Sequence, residues 1–191
     1  MHTFLQHARG ATHCILALET VDGEVFGAFT SEAWRKNWNF FGGTDSFLWR
    51  LRHARREKSS SIIDTAHKES EIDVYPYSGA NSCVQLCTHD KIAVGGGTGE
   101  GVIPDDNHPT SPIIQKHEWG FGLALQGDLL SGTSSPCLTF SSPSLSTEHS
   151  DGSLFEIVNL ELWTLTPCHS LEDAEKLELG KLFLRRHHKD L

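Results

Sequence analysis

Ala93-Val94-Gly95-Gly96-Gly97 and Gly120-Phe121-Gly122-Leu123-Ala124-Leu125-Gln126-Gly127-Asp128-Leu129-Leu130-Ser131-Gly132-Thr133-Ser134-Ser135-Pro136-Cys137-Leu138-Thr139-Phe140 bound the stretch whose reading decides the fold. Apolar residues alternate with glycines, and Gly127-Asp128 sits between two apolar runs. That pattern predicts two short strands joined by a tight turn. Glycines on both flanks allow close backbone approach or positive φ. Pro136 then ends the ladder pattern, because proline has no N–H to donate. No recognised catalytic constellation appears in the stretch.

Outward from it, the chain reads as further short strands. Residues 12–20 and 24–30 flank Asp22-Gly23, a strong hairpin signal. Strands are also expected over 46–52, 72–77, 81–88, 91–94 and 154–165, where Leu160 and Leu162 alternate with polar neighbours. Trp163 alternates with Leu160 and Leu162, so one of the two faces of this strand is core, and Trp163 is expected to be buried. Paired strands of this kind need their apolar faces covered by a second sheet. Residues 1–11 form a lead-in with a short helix. Ser31 is expected to cap a helical turn over 32–36, 40–45 a turn, 58–71 a loop insertion, and 141–152 a serine-rich loop. Residues 98–118 are polar, carry Pro104, Pro109 and Pro112, and read as an insertion. At the C-terminal end Ser170-Leu171-Glu172-Asp173 resembles a capping box. Leu171, Ala174, Leu177, Leu179, Leu182 and Phe183 then recur at helical spacing, predicting an amphipathic helix over 170–189. The fold class is mainly β (α+β).

Six motifs in order carry a family resemblance. They are Phe26-Gly27-Ala28-Phe29, Phe41-Gly42-Gly43-Thr44-Asp45-Ser46-Phe47-Leu48, Gly95-Gly96-Gly97, Gly120-Phe121-Gly122-Leu123, Ser134-Ser135-Pro136-Cys137 and Leu160-Glu161-Leu162-Trp163. Together they resemble the TLDc domain over residues 12–165. The positions that match the family pattern include Gly95, Gly96, Gly97, Gly120, Gly122, Asp128, Ser134, Pro136, Cys137, Glu161 and Trp163. The resemblance implies an antiparallel β-sandwich of two sheets with flanking helices. It also implies a link to oxidative-stress resistance and to the V1 sector of the vacuolar proton pump, the V-ATPase. Ala124 stands where the family usually has tryptophan, Leu138 where it has glutamate, Leu130-Ser131 for Tyr-His, and Ser141-Ser142 for an asparagine pair. The family's domain also extends upstream by a helical segment, so a partial domain is one expectation.

Charge and residue types narrow the function classes. The formal net charge is 16 − 25 = −9, which makes the chain a poor candidate for general nucleic-acid binding, since that needs a cationic face. No run of roughly 18 apolar residues spans a membrane, and residues 1–10 carry no signal-peptide core. Five cysteines cannot all pair within one chain, and buried thiols in a reducing, cytoplasmic setting are expected. Gly95-Gly96-Gly97-Thr98-Gly99-Glu100-Gly101 fails as a phosphate loop, because Val102 stands where lysine is needed. The twelve histidines are dispersed, so neither metal nor cofactor is expected. Ser134, Ser135, Cys137, His117 and His149 supply hydrolase residue types, but no spacing links them.

Arg50, Arg52, Arg55 and Arg56 form a positive cluster. The plain reading is a solvated loop mouth; the sharper one is docking of an acidic partner, shared with Arg185 and Arg186. The leading expectation is therefore a non-enzymatic interaction module that binds a protein partner. The alternatives are a thiol-based redox protein using Cys137, and a partial domain without independent activity.

Overall fold

The computed structural model describes residues 2–8, 11–97, 120–165, 170, 172–173, 175–177 and 179–180. In chain order come α1 (His2–Ala8), β1 (His13–Thr20), β2 (Val25–Thr30), β3 (Asn37–Phe41), β4 (Phe47–Leu51), α2 (Ile62–Ser70) and β5 (Ile72–Pro76). Then follow β6 (Gln85–Cys87), β7 (Lys91–Val94), β8 (Leu123–Gln126), β9 (Ser131–Thr133) and β10 (Phe155–Leu165). The mainly β expectation holds. All pairings are antiparallel, in the order β3-β6-β7-β8-β9-β10-β1-β2-β4-β5.

β10 links two halves of this ladder. Phe155 and Glu156 pair with Gly132 and Ser131 of β9, whereas Ile157 to Leu165 pair with Thr20 to His13 of β1. Val158 is skipped in that register and is 61% exposed. It is a β-bulge, and a bulge bends its strand and raises local twist. The bend lets the two halves share one core. Cys14, Leu16 and Leu18 alternate inward along β1. They join Phe26, Ala28 and Leu48 from the same half and Ile92, Val94, Leu123 and Leu125 from the other. Phe26 meets Phe155 edge-on, with centroids 5.3 Å apart. Each such buried side chain stabilises by about 1.5–3 kcal/mol.

α1 belongs to this core. Phe4 and Ala8 are buried, and Phe4 stands edge-on to Trp34 at 5.4 Å. The loop after β9 is tied down by a buried carboxylate at the β1–β2 hairpin. Glu24 accepts from Ser146 Oγ (2.5 Å), Thr147 N (2.6 Å), Thr147 Oγ1 (2.6 Å) and Glu148 N (3.4 Å).

Several local expectations are corrected. Residues 32–36 form no helical turn, and β3 runs through Phe40 and Phe41 where a turn is expected. Within 58–71 lies α2, capped by Ser61, whose Oγ accepts from Asp64 N. No side chain of α2 is buried, so the helix leaves no apolar periodicity to read. Residues 81–84 form a turn ahead of the short β6, with Cys83 N donating to Asn81 Oδ1 at 2.9 Å. The β8–β9 hairpin has a four-residue connection, 127–130, with Leu129 at φ 64°. The 98–118 insertion lies outside the described residues. So does much of 170–189, including Arg185 and Arg186, but residues 172–173, 175–177 and 179–180 are helical. Among the described residues no helix is long and apolar enough to cross a membrane.

Glu24→Ala strands the hydroxyl of the buried Ser146 and the Thr147 N–H. It should lower unfolding free energy by about 1–3 kcal/mol, read as a lower urea midpoint at unchanged slope. An unmoved midpoint would mean that the loop does not depend on this carboxylate.

Candidate functional site

The glycine run and the Ser-Ser-Pro-Cys segment meet in one buried knot. Gly95 N donates to Val84 O (2.8 Å) and Leu138 N to Gly97 O (2.8 Å). Gly96 N donates to Thr139 Oγ1 at 3.0 Å, and that hydroxyl donates to Asn81 Oδ1 at 2.8 Å. Ser134 Oγ donates to Gly122 O (2.6 Å) and accepts from Leu145 N (2.8 Å). Cys137 Sγ lies 3.8 Å from Gly96 O. Gly95 has φ +77°, and a Cβ there would lie 2.4 Å from Cys137 Sγ. A Cβ on Gly122 would lie 2.5 Å from Leu48 Cδ1. Glycine is needed at both positions because the neighbouring side chains occupy the space.

This knot is built for packing. Burial pushes the Cys137 thiol above its ordinary value, with hydrogen bonds from Phe140 and Thr139 opposing. Cys83 is also raised, first by burial and then by the neighbouring Cys137. Thiols raised in this way stay protonated at neutral pH and are poor nucleophiles. Cys83 and Cys137 are free thiols. Among the described residues no group of three His, Cys, Asp or Glu gathers to hold a metal.

The other motif positions lie elsewhere. Gly120 is buried, while Pro136 and Asp128 are exposed. Asp128 Oδ1 accepts from Leu130 N at 3.0 Å in the β8–β9 connection. Glu161 and Trp163 stand on the outer face of β10, where Trp163 Nε1 donates to Glu161 Oε2 at 2.9 Å. The expected burial of Trp163 is overturned, since it is 61% exposed. Leu160 and Leu162 pack against the core, and the two-residue period of a strand then turns Trp163 outward.

That outer face is the surface sequence reasoning missed. Register places Trp163, Ile15, Phe29 and Phe47 side by side in one row. The next row holds Glu161, Ala17, Gly27, Trp49 and Val74. Phe29 stacks on Phe47 at 5.0 Å. Beside Trp49 lies a groove of about 340 Å³ that Glu19, Glu69, Glu161 and Arg55 help to line. The available signal was the apolar content of the outward positions of β1, β2 and β4, which a half-buried sheet does not require.

The arginine cluster is largely matched within the chain. Arg50 Nε meets Asp73 Oδ2 at 3.3 Å, and Arg52 Nε meets Asp73 Oδ1 at 2.7 Å. Arg55 Nη1 meets Glu19 Oε2 at 3.0 Å. Arg56 lays its stem over Gly23. The hydrogen bond from Arg52 holds the Asp73 carboxyl below the usual carboxylate range, against a smaller opposing effect of burial. Arg50, Arg52 and Arg56 share a cavity of about 490 Å³ with Asp22, Glu24, Glu57, Asp73 and Glu148.

Two outcomes test these assignments. Gly95→Ala should lose about 1–3 kcal/mol through its left-handed φ alone. Adding Cys137→Ala should recover only the part due to crowding, and full recovery would show that backbone strain contributes nothing. Asp73 contributes stability that is present above its unfolded-state pKa of about 3.9 and is lost as pH falls through the lower folded value. Asp73→Asn should therefore flatten the acid limb of a pH–stability curve measured by urea unfolding, and an unchanged acid limb would remove Asp73 from it.

A model of the TLDc domain matches residues 1–166, which takes in α1 as well as strands β1 to β10. The chain is 29% identical over 175 residues to "Oxidation resistance protein 1" of Podospora anserina, covering 79% of this chain and 44% of that protein. The proteins of the same name from Saccharomyces cerevisiae (27%; 78% and 51% covered) and Schizosaccharomyces pombe (28%; 83% and 65% covered) are similar. The chain thus spans about half the length of the first two. With a family match across the whole of its described sheet, the chain belongs to the TLDc domain family.

Proposed function

We propose that this chain is a non-enzymatic protein-interaction module of the oxidative-stress-related TLDc type, acting in the cytoplasm on the V1 sector of the V-ATPase. The observation that carries the reading is where the family-motif residues go. The glycine run, Gly122, Ser134 and Cys137 are spent on internal packing, and the buried thiol is held protonated. What remains for function is surface. The names of the relatives support the oxidative-stress part of the reading, and the family resemblance supports the pump.

Purified chain mixed with isolated V1 sector should co-migrate on size exclusion, and no co-migration at micromolar concentrations would remove V1 as the partner. Peroxide consumption should be slow and no different in Cys137→Ser. A fast, saturable reaction lost in that variant would establish the redox alternative.

A further inference from the structure

We propose that the open edge of β5 pairs with the β5 edge of a second copy of this chain, joining two sheets antiparallel about a twofold axis at Val74. This inference stands apart from the identity of any other partner. β5 ends the sheet order, with β4 as its one strand neighbour among the described residues. Arg52 N donates to Glu71 O at 2.9 Å, in the register that also sets Arg50 opposite Asp73 and Leu48 opposite Tyr75. Hydrogen-bonded pairs alternate along an antiparallel ladder, so Asp73 and Tyr75 bond to β4. Ile72 and Val74 then turn their N–H and C=O groups away from β4, and Pro76 turns its C=O the same way. Such a row is a template for another strand. The opposite edge, β3, is not equivalent. Its register with β6 shifts between Asn37 and Phe41, and an irregular edge resists pairing. β5 keeps an unbroken register with β4 from Ile72 to Pro76.

What favours a second copy over an unrelated strand is that β5 matches itself. With Val74 opposite the partner's Val74, every β5 residue faces a β5 residue, and the contact is isologous. The Val74 N–H and C=O groups exchange hydrogen bonds with their counterparts. Ile72 N–H meets the C=O of the partner's Pro76, so the donor that proline lacks falls at the end of the ladder, not in its middle. Side chains alternate along a strand. Ile72, Val74 and Pro76 therefore share the outer face, where Ile72 lines the groove beside Trp49, and Val74 and Ile72 are 53% and 49% exposed. Pairing sets Val74 against the partner's Val74 and Ile72 against the partner's Pro76, which covers this apolar surface. Asp73, the one charged residue of β5, lines the arginine cavity instead. It comes opposite the partner's Tyr75, so no like charges stand directly opposite, and Arg50 and Arg52 already pair with it. One short strand makes a small interface, and small interfaces are weak. The dimer is expected in the micromolar-to-millimolar range.

Sedimentation velocity and hydrogen–deuterium exchange on the full chain, across that concentration range, test the pairing. Wild type should pass from monomer to dimer as concentration rises, and the Ile72 and Val74 amides should gain protection in step. Val74→Pro removes an outward N–H that β4 does not use, at an edge position where proline is tolerated. It should weaken association about tenfold or more, with β1 amides unchanged. Val74→Lys and Val74→Glu should each stay monomeric, because like charges then meet at the twofold axis, and a mixture of the two should form the heterodimer. That rescue reads the register directly and decides the matter should Val74→Pro loosen β5. A wild type that stays monomeric throughout would overturn the proposal. So would protection of Ile72 and Val74 that ignores concentration, which means the edge is covered within the chain. Association undiminished in the Val74 variants would place the contact elsewhere, and a Lys/Glu mixture that stays monomeric would remove Val74 from the axis.

Discussion

β10 has to satisfy two neighbours with one run of backbone groups. Its first two residues complete the ladder of β9, and the remainder completes that of β1. A regular strand cannot turn between the two directions without losing pairing on one side. The bulge at Val158 resolves this by leaving one residue out of register, which bends the strand at the corner. From that corner the two halves fold toward each other, and Phe155 at the head of β10 is fully buried against Phe26. The interior is one continuous cluster rather than two separate ones.

The same constraint sets the chemistry of the family motifs. With the halves closed, the glycine run after β7 lies against the segment after β9, and the contact is too close for side chains on both partners. Glycine supplies one side, and Cys137, Thr139 and Phe140 supply the other. Polar groups trapped there are satisfied by short internal bonds through Ser134, Thr139 and Asn81. A thiol in such a place behaves as a small apolar group. The glycine run, Gly122, Ser134 and Cys137 of the family motifs are special here for packing.

Much of this was legible in the sequence because it rests on local rules. Asp22-Gly23 gave the first hairpin, alternation gave β1, β2 and β10, and the glycines marked the close approach. What escaped reading depends on tertiary placement. α2 buries nothing and is held by capping and polar contacts such as Lys68 Nζ to Lys58 O (2.9 Å), so no periodicity announces it. The role of Glu24 depends on a loop more than 120 residues away in sequence. The four arginines read as a free cationic patch because their partners, Asp73 and Glu19, come from other strands. Trp163 matches a family motif position, but the strand period, with Leu160 and Leu162 facing the core, turns it outward.

The misplacement of Trp163 also separates two kinds of surface in this module. Ion pairs between half-exposed groups, such as Arg55 with Glu19 and Glu69, contribute little net stability and leave each charge available to water. An apolar sheet face has no such alternative, because water gives it nothing in exchange for burial. A partner that recognises the arginine side competes with weak internal pairs. One that recognises the sheet side gains directly from burying apolar area, because Trp163 and Val74 stand exposed on that face.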